Sequence, residues 1–250
     1  MPSASQGGSE DRGVTAPPLP APSRPVKPYH AGLGAEAVVD AAVELTAESA
    51  LTSWTIRDLA RRLGVSPSVI YHHLPGRPDI MWAVVERVLS TFPRAGTDLP
   101  WQQWFRTTMP DLVTHLSHHP GTVRFLSLNG PATASGIRLV DDGITVLRRG
   151  GFADRSPEIF SVLFNSTLLV GAINEDRGNE APDLTAAALR SIAKAGPLPA
   201  GTQELQDYSV RFATDPDLRG RVASYLRFTV DLLIAGLESD PALRPEAGAS

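Results

Sequence analysis

The segment TIRDLARRLGVSPSVIYHHL, at residues 55–74, constrains this chain more than any other part of it. Gly64 stands where a helix has to end, because glycine adopts the left-handed backbone conformation at little cost. The preceding apolar residues have the i, i+3, i+4, i+7 spacing of one helix face: Ile56, Leu59, Ala60 and Leu63. With Thr55 or Ser53 as its cap, a short helix followed by a sharp turn is predicted.

A second short helix is predicted to begin at Pro67, because Ser66 is a favourable N-cap and proline a favourable first helical residue. We expect Val69 and Ile70 to pack on the first helix. The outward side chains would be Ser66, Ser68, Tyr71 and His72, which suit contacts with bases and phosphates. Such a pair is typical of the DNA-binding helix-turn-helix, although an ordinary helical pair gives the same pattern.

The flanking segments extend the pattern in both directions. VVDAAVEL supplies the apolar face of a preceding helix, and PGRPDIMWAVVERVL reads as a following one. The apolar face of the preceding helix comprises Ala37, Val38, Ala41, Ala42 and Leu45. In order and spacing, residues 34–89 resemble the TetR family of one-component transcriptional regulators, whose DNA-binding domain contains a helix-turn-helix and a linking fourth helix.

The resemblance implies a set of DNA contacts, and two departures from the family pattern affect it. The predicted DNA-binding residues are Arg57, Ser66, Pro67, Ser68, Tyr71, His72 and Arg77. The joint AESALTSWT lacks the family's usual glycine and aromatic residue, so Trp54 is expected to fill the core there. Arg77 stands in for a lysine that commonly meets phosphate. Arg57, Arg61 and Arg62 are interpreted either as phosphate contacts or as a solvated helix face.

Composition limits the remaining classes of function. With 42% hydrophobic residues the chain can bury a sizeable core, and with no cysteine it has neither disulfides nor thiolate metal sites. No run of eighteen apolar residues and no secretory pattern occurs, so a soluble cytoplasmic protein without a membrane segment is expected. The net charge is −4, but residues 51–80 carry four arginines against two aspartates. The basic residues are therefore concentrated near the helix-turn-helix.

Three regions are predicted in an all-α chain. Residues 1–30 are rich in Pro, Ser, Gly and Ala and are expected to be disordered. Arg24, Lys27 and His30 then form either a minor-groove arm or part of a plain tail. A DNA-binding domain is predicted at residues 31–92 and a larger helical domain at 100–240. The helices expected in the larger domain are 101–117, 120–128, 134–150, 156–175, 183–194, 203–213 and 217–238, with a break at Gly178 among the glycines and prolines that separate them.

The resemblance implies that the C-terminal domain dimerises through its last helices and holds a ligand pocket. The final helix, RVASYLRFTVDLLIAGL, carries an apolar stripe broader than one neighbouring helix covers, which fits a two-fold homodimer. The expected partners are therefore operator DNA, a second copy and an unidentified small-molecule effector. By position in the family, the expected ligand-binding residues are Trp104, Phe105, Met109, Phe125, Phe164, Asn165 and Leu168, with core packing as the alternative.

Other interpretations receive less support from the residues. His115 and His119 are spaced to share a divalent ion, but their place before Pro120 and Gly121 is typical of a helix end, so no metal and no cofactor is expected. A helical enzyme using Asp111 and the histidines lacks a nucleophile motif. A DNA-compacting protein conflicts with the acidic C-terminal region. The expected function is a homodimeric repressor released from a palindromic operator by a small molecule, although activation is compatible with the same architecture.

Overall fold

The protein is described here from a computed structural model, which describes residues 33–179, 187, 191, 198–213 and 217–239. Within those residues all regular structure is helical. The helices are α1 (Ala35–Ser49), α2 (Ile56–Leu63), α3 (Pro67–His73), α4 (Arg77–Ser90), α5 (Trp101–Leu116), α6 (Thr122–Asn129), α7 (Ala134–Arg149), α8 (Ser156–Asn179), α9 (Ala200–Ala213) and α10 (Leu218–Ser239). A 3-10 turn, Ala153–Arg155, precedes α8.

Helices α1 to α4 pack around a small apolar core. The inward side of α1 buries Val38, Val39, Ala41, Ala42 and Thr46, so Ala37 and Leu45 of the predicted face are only half-buried. Trp54 fills the space between α1 and α2, as expected, and donates from Nε1 to Thr46 Oγ1 at 3.0 Å. A buried indole needs such an acceptor, and Thr46 supplies it from the middle of α1.

The larger group of helices surrounds a second core. Helix α5 lies against α7, α8 and α10, while α6 packs chiefly on α8. The largest fully buried side chains there include Trp104, Phe105, Leu112, Leu116, Leu147 and Leu163. In α10 the buried stripe is Leu226, Val230 and Ile234, while Val222, Leu233 and Leu237 are half-buried.

The predicted boundaries agree closely with the observed helices from α5 onward, with one correction. Gly178 does not end a helix, because α8 continues to Asn179. A helical glycine costs about 1 kcal/mol relative to alanine, which a long packed helix tolerates. The predicted helix at 183–194 lies outside the described residues apart from 187 and 191, and the predicted N-terminal extension lies outside them entirely.

The segment Ala153–Glu175 is long and apolar enough to cross a membrane by length and composition. Half of its most apolar window is buried within the protein. Leu163, Phe164 and Leu168 of this segment belong to the helical core. Since the core helix of a globular domain meets the same criterion, the segment is weak evidence for a membrane span.

Candidate nucleic-acid interface and effector core

The helix-turn-helix is built from local capping interactions that its sequence specifies. Thr55 caps α2: its hydroxyl accepts from the Asp58 N–H at 3.2 Å, and Asp58 accepts from the Thr55 N–H at 2.9 Å. The hydrogen bonds from the Thr55 hydroxyl and N–H, with Arg61 beside them, lower the pKa of Asp58 to about 2. Gly64 closes the helix at φ 68°, in the left-handed region that was predicted for it.

Helix α3 presents a polar outer face and an apolar inner one. Ile70 is completely buried against the neighbouring helices, while Val69 is half-buried. The exposed residues, which we call the α3 outer face, are Ser66, Pro67, Ser68, Tyr71 and His72. The Ser66 and Ser68 hydroxyls lie 2.7 Å apart, and Tyr71 keeps 48% of its side chain exposed. This face therefore offers hydroxyl and imidazole groups to an outside partner, as predicted.

The three arginines of α2 differ in their surroundings. Arg61 pairs with Asp58 at 2.7 Å, and Arg62 pairs with Glu44 at 3.2 Å and with Glu48 of α1. Arg57 is exposed and has no ion pair among the described residues. Arg62 thus braces α2 on α1, whereas the Arg57 guanidinium is available to a phosphate.

Arg77, at the first position of α4, has a structural role that its sequence context does not predict. Its Nη2 donates to the carbonyl oxygens of Thr52 at 2.7 Å and Trp54 at 2.9 Å, and its guanidinium lies 5.4 Å from the centre of a Trp54 ring. A longer contact of 3.5 Å reaches the Leu51 carbonyl. The side chain therefore holds the segment that connects α1 and α2 against α4. A phosphate contact by Arg77 stays a prediction.

The α1–α4 group meets the larger helical region through several specific contacts. We call this contact region, between α1–α4 and the helices α5, α6 and α7, the joint. The Leu51 N–H donates to the Pro120 carbonyl at 2.7 Å. Trp82 of α4 packs edge-on against Phe125 of α6, with ring centres 4.7 Å apart. Near the end of α4, His115 Nε2 lies 2.9 Å from the Val88 carbonyl oxygen. The joint thus involves both α5 and α6, so a movement of either helix reaches α1–α4.

Glu86 adds a polar contact to the same joint. Its carboxylate accepts from the Ser135 N–H and hydroxyl at the start of α7, both at 2.8 Å. Burial by itself raises the pKa of Glu86, but the hydrogen bonds from Ser135 and Thr133, together with the charge of Arg138, outweigh burial, and the pKa is lowered. Nothing in the local sequence pattern marked Glu86 and Ser135 as partners, because they lie on helices far apart in the chain.

The predicted ligand-binding residues fall into three groups. Five of them lie in the interior of the larger region: Trp104, Phe105, Met109, Phe164 and Leu168. Phe125 is half-buried at the joint against Trp82. Asn165 lies on the exposed side of α8, because consecutive side chains on a helix point in different directions and Phe164 points inward. Its contact with a ligand stays a prediction, but it does not share the interior with the other five.

Two buried polar atoms in that interior have no hydrogen-bond partner: Trp104 Nε1 and Thr108 Oγ1. Trp104 and Thr108 are one helical turn apart on α5, and their exposed fractions are 0% and 1%. Buried polar groups in proteins are nearly always hydrogen-bonded, so each exception calls for an explanation.

Two cavities open elsewhere. One of about 360 Å³ lies at the joint and is lined by residues including Ala50, Thr52, Gly121, Arg124 and Phe125. The other, of about 410 Å³, is an open groove beside Ile137 and Val140 of α7. Of the predicted ligand-binding residues, Phe125 lines the first cavity, and the two linings as described include no other.

The histidines near the end of α5 are used structurally. His115 contacts the Val88 carbonyl, and burial, together with His115 and His118, lowers the pKa of His119. Within the described residues, no group of three His, Cys, Asp or Glu side chains could hold a metal ion. His115 lies in the last turn of α5, and His119 lies in the turn that follows this helix.

Comparison with known proteins follows the same division of the chain. Residues 38–84 match the family model described as bacterial regulatory proteins, tetR family. Over 81 residues the chain is 32% identical to the tetracycline repressor protein class D of Escherichia coli, and this match covers 30% of this chain and 36% of that repressor. The chain thus spans about a third of the length of this curated relative.

Solved structures resemble a larger part of the chain. ActR of Streptomyces coelicolor, in complex with (S)-DNPA, is 20% identical and superposes with a TM-score of 0.63 over 82% of this chain and 99% of ActR. BioQ, in complex with its double-stranded DNA operator, is 23% identical with a TM-score of 0.54 over 58% of this chain and 90% of BioQ. At these identities the likeness establishes a shared fold for both groups of helices.

Proposed function

We propose that this chain, a member of the tetR family of bacterial regulatory proteins through its domain at residues 38–84, is a ligand-responsive transcriptional repressor. It would act as a homodimer on a palindromic operator and would be released by a small molecule. The observation that carries the proposal is the α3 outer face, which is polar and exposed on a helix whose inner residue, Ile70, is fully buried.

The DNA contacts divide by chemistry. Tyr71 and His72 extend from the exposed side of α3 and are assigned to base edges or phosphates in the major groove. Ser66 and Ser68 at its N-terminal end, with Pro67 between them, are assigned to the nearby phosphates, where the helix dipole also favours an anion. Arg57 adds a phosphate contact on α2, since it has no ion pair among the described residues.

Two exposed apolar stripes support the homodimer. One stripe, on α8, consists of Val162, Leu169 and Ile173, and the other, on α10, consists of Tyr225, Phe228 and Leu232. The exposed α10 side chains point away from the buried stripe Leu226, Val230 and Ile234 of the same helix. Two helices from each copy would cover both stripes in a four-helix interface. Dimerisation places two α3 helices about 34–36 Å apart, the spacing of successive major grooves.

Regulation follows from the contacts at the joint. An effector changes DNA affinity only if it binds one conformation better than the other. The Trp82–Phe125 and His115–Val88 contacts tie α1–α4 to α6 and α5, so a rearrangement around α5 displaces α3 in each copy. ActR in complex with (S)-DNPA and BioQ in complex with operator DNA support the two kinds of ligand by analogy.

The remaining parts of the proposal concern organisation. We assign residues 31–92 to DNA binding and residues 100–240 to effector binding and dimerisation, although α4 packs against α7 across this division. The protein would work in the cytoplasm, where its operator is. Repression is preferred over activation because the curated relative is a repressor.

The test measures binding of the full-length protein to labelled promoter DNA from beside its own gene. Fluorescence anisotropy at two salt concentrations gives the affinity. A scrambled duplex of equal length is the control. Affinity for the promoter at least about a thousandfold above the scramble supports a specific regulator. Weak, equal and steeply salt-dependent binding to both duplexes at any promoter fragment tested would contradict sequence-specific regulation.

A further inference from the structure

We propose that the effector is an uncharged, planar aromatic molecule with a hydrogen-bond-accepting oxygen, taken into the core of the larger region at Trp104 and Thr108. The inference rests on the proposed function and specifies the chemistry of its ligand. It starts from the two buried polar atoms that have no partner, Trp104 Nε1 and Thr108 Oγ1.

Comparable groups in the same protein form the hydrogen bonds that these two atoms lack. Two other buried helical threonines, Thr46 and Thr167, donate to the carbonyl four residues earlier, at 2.8 and 2.7 Å. Trp54, equally enclosed, donates from its indole to Thr46 at 3.0 Å. Thr108 and Trp104 have the same helical and buried settings but lack these bonds. Leaving such groups unsatisfied is unfavourable, so a molecule that satisfies them gains affinity.

The donor chemistry selects the polar part of the molecule. An indole Nε1–H is a donor only, so its partner has to be an acceptor. The Thr108 hydroxyl, one helical turn along α5, can donate to the same molecule. A carbonyl or ether oxygen meets both requirements without carrying a charge.

The surrounding side chains select the apolar part of the molecule. Phe105, Phe160 and Phe164 provide aromatic surfaces, with Phe160 and Phe164 stacked at 5.4 Å between ring centres. Gly143 of α7 lets the rings approach its backbone, because a Cβ there would lie 2.4 Å from Phe160 and 3.2 Å from Trp104. Flat aromatic surfaces favour a flat aromatic ligand.

The charge of the molecule follows from what is buried. Among the described residues that are buried as a whole, none is Asp, Glu, Lys, Arg or His, and the polar ones are serines and threonines. An ion taken into this core would find no countercharge, which is strongly unfavourable. The effector is therefore neutral at its point of contact.

The filled core explains why such binding would be coupled to DNA release. Trp104 and Phe105 are completely buried, so the aromatic side chains must move to admit a ligand. The ligand thus binds a more open arrangement of α5, α7 and α8 than the one described. Because α5 and α7 also contact α4 through His115 and Ser135, opening this core changes the joint.

The test compares 9-fluorenone with fluorene, two planar molecules that differ in one carbonyl oxygen. Binding to the full-length protein is followed by isothermal titration and by the shift in Tm, neither of which requires operator DNA. We expect fluorenone to bind at least about tenfold more tightly than fluorene, the effect of one hydrogen bond to a buried donor. Trp104→Phe should remove this preference, and Trp101→Phe, on the same helix, should retain it.

A second pair of variants tests the unpartnered hydroxyl without any ligand. Thr108→Val should leave Tm unchanged or raise it, because a hydroxyl with no partner is replaced by a methyl group. Thr122→Val should lower Tm, because the Thr122 hydroxyl lies 3.0 and 2.8 Å from the Leu116 and His119 carbonyl oxygens. An equal fall in both variants would mean that an enclosed water or a protein group already satisfies Thr108.

Equal affinity for the two probes, or binding of neither, overturns the proposed ligand chemistry. The repressor proposal is judged separately, by operator binding of the unliganded protein. A protein that binds its operator but shows no preference for fluorenone keeps its regulatory function and loses this inference. A protein that prefers fluorenone but binds no operator keeps the ligand site at Trp104 and Thr108 and loses the regulatory function.

Discussion

The guanidinium of Arg77 lies over the indole of Trp54, with its Cζ 5.4 Å from the ring centre, while its Nη2 donates to the carbonyl oxygen of the same residue at 2.9 Å. One side chain thus joins the start of α4 to the end of the segment that connects α1 and α2, and to Trp54, which fills the small core. Trp54 in turn donates to Thr46 on α1. The orientation of the helix-turn-helix therefore depends on a contact network centred outside it.

Replacing Arg77 distinguishes this structural role from a phosphate contact. Arg77→Met keeps the aliphatic stem but removes the bonds to the Thr52 and Trp54 carbonyls, and should reduce the free energy of unfolding by about 1–3 kcal/mol. Urea denaturation measures it. The matched control is Arg57→Met, which should leave unfolding within about 0.5 kcal/mol and reduce the salt slope of operator binding by about one. A reduced salt slope in Arg77→Met with unchanged stability would assign Arg77 to phosphate.

Tyr71→Ala and His72→Ala should each weaken operator binding by about 1–3 kcal/mol if the side chain contacts a base edge. Both side chains are exposed, so dimer mass and helical content should not change. Anisotropy titrations against the operator measure the loss, with the exposed Gln103 on α5 changed to alanine as the control. A variant with wild-type affinity removes its residue from the proposed contacts.

Leu232→Lys should convert the dimer into a monomer. Leu232 is 57% exposed within one chain, so the lysine would not disturb the core of its own subunit but would place a charge in the proposed interface. Light scattering after size exclusion gives the mass. Leu128→Lys, at a position 73% exposed on α6 and outside both stripes, is the control and should remain dimeric. A dimeric Leu232→Lys protein would place the interface elsewhere.

Gly121→Ala should be more destabilising than Gly64→Ala. Both glycines have positive φ, 87° and 68°, and a left-handed alanine costs roughly 1–2 kcal/mol. Only at Gly121 would the added Cβ also meet Leu51, at 3.2 Å from its N and Cβ, whereas nothing lies within 4 Å at Gly64. Denaturation of the two variants under the same conditions measures the difference. Equal losses would show that the joint adjusts freely around residue 121.

Acid should weaken the α2 cap through Asp58. Its pKa is lowered from 3.8 to about 2 in the folded protein, so its contribution to stability is fully present above pH 4 and is lost as the pH falls toward 2. Asp58→Asn lacks this titration. The Tm of the wild type should therefore exceed that of Asp58→Asn near pH 6, and the difference should shrink between pH 4 and pH 2. A difference that is independent of pH contradicts the assignment.

Local sequence determined both ends of α2 and the start of α3. The cap at Thr55, the left-handed Gly64 and the proline that begins α3 act within a few residues, so spacing and residue type were sufficient to predict them. The apolar period likewise identified the inner face of α3 and most of the buried side of α1. These features depend on neighbours along the chain, which a sequence displays directly.

Tertiary structure alone decided which distant groups meet. It turned Arg77 toward carbonyls about 25 residues earlier in the chain, joined Glu86 to Ser135, and left Asn165 outside the interior that holds Phe164. It also left Trp104 and Thr108 without partners while Trp54 and Thr46 found each other. Hydrogen-bond pairing acts over about 3 Å in space, whatever the separation in sequence, so a periodic pattern can place a side chain on a helix face without specifying its partner.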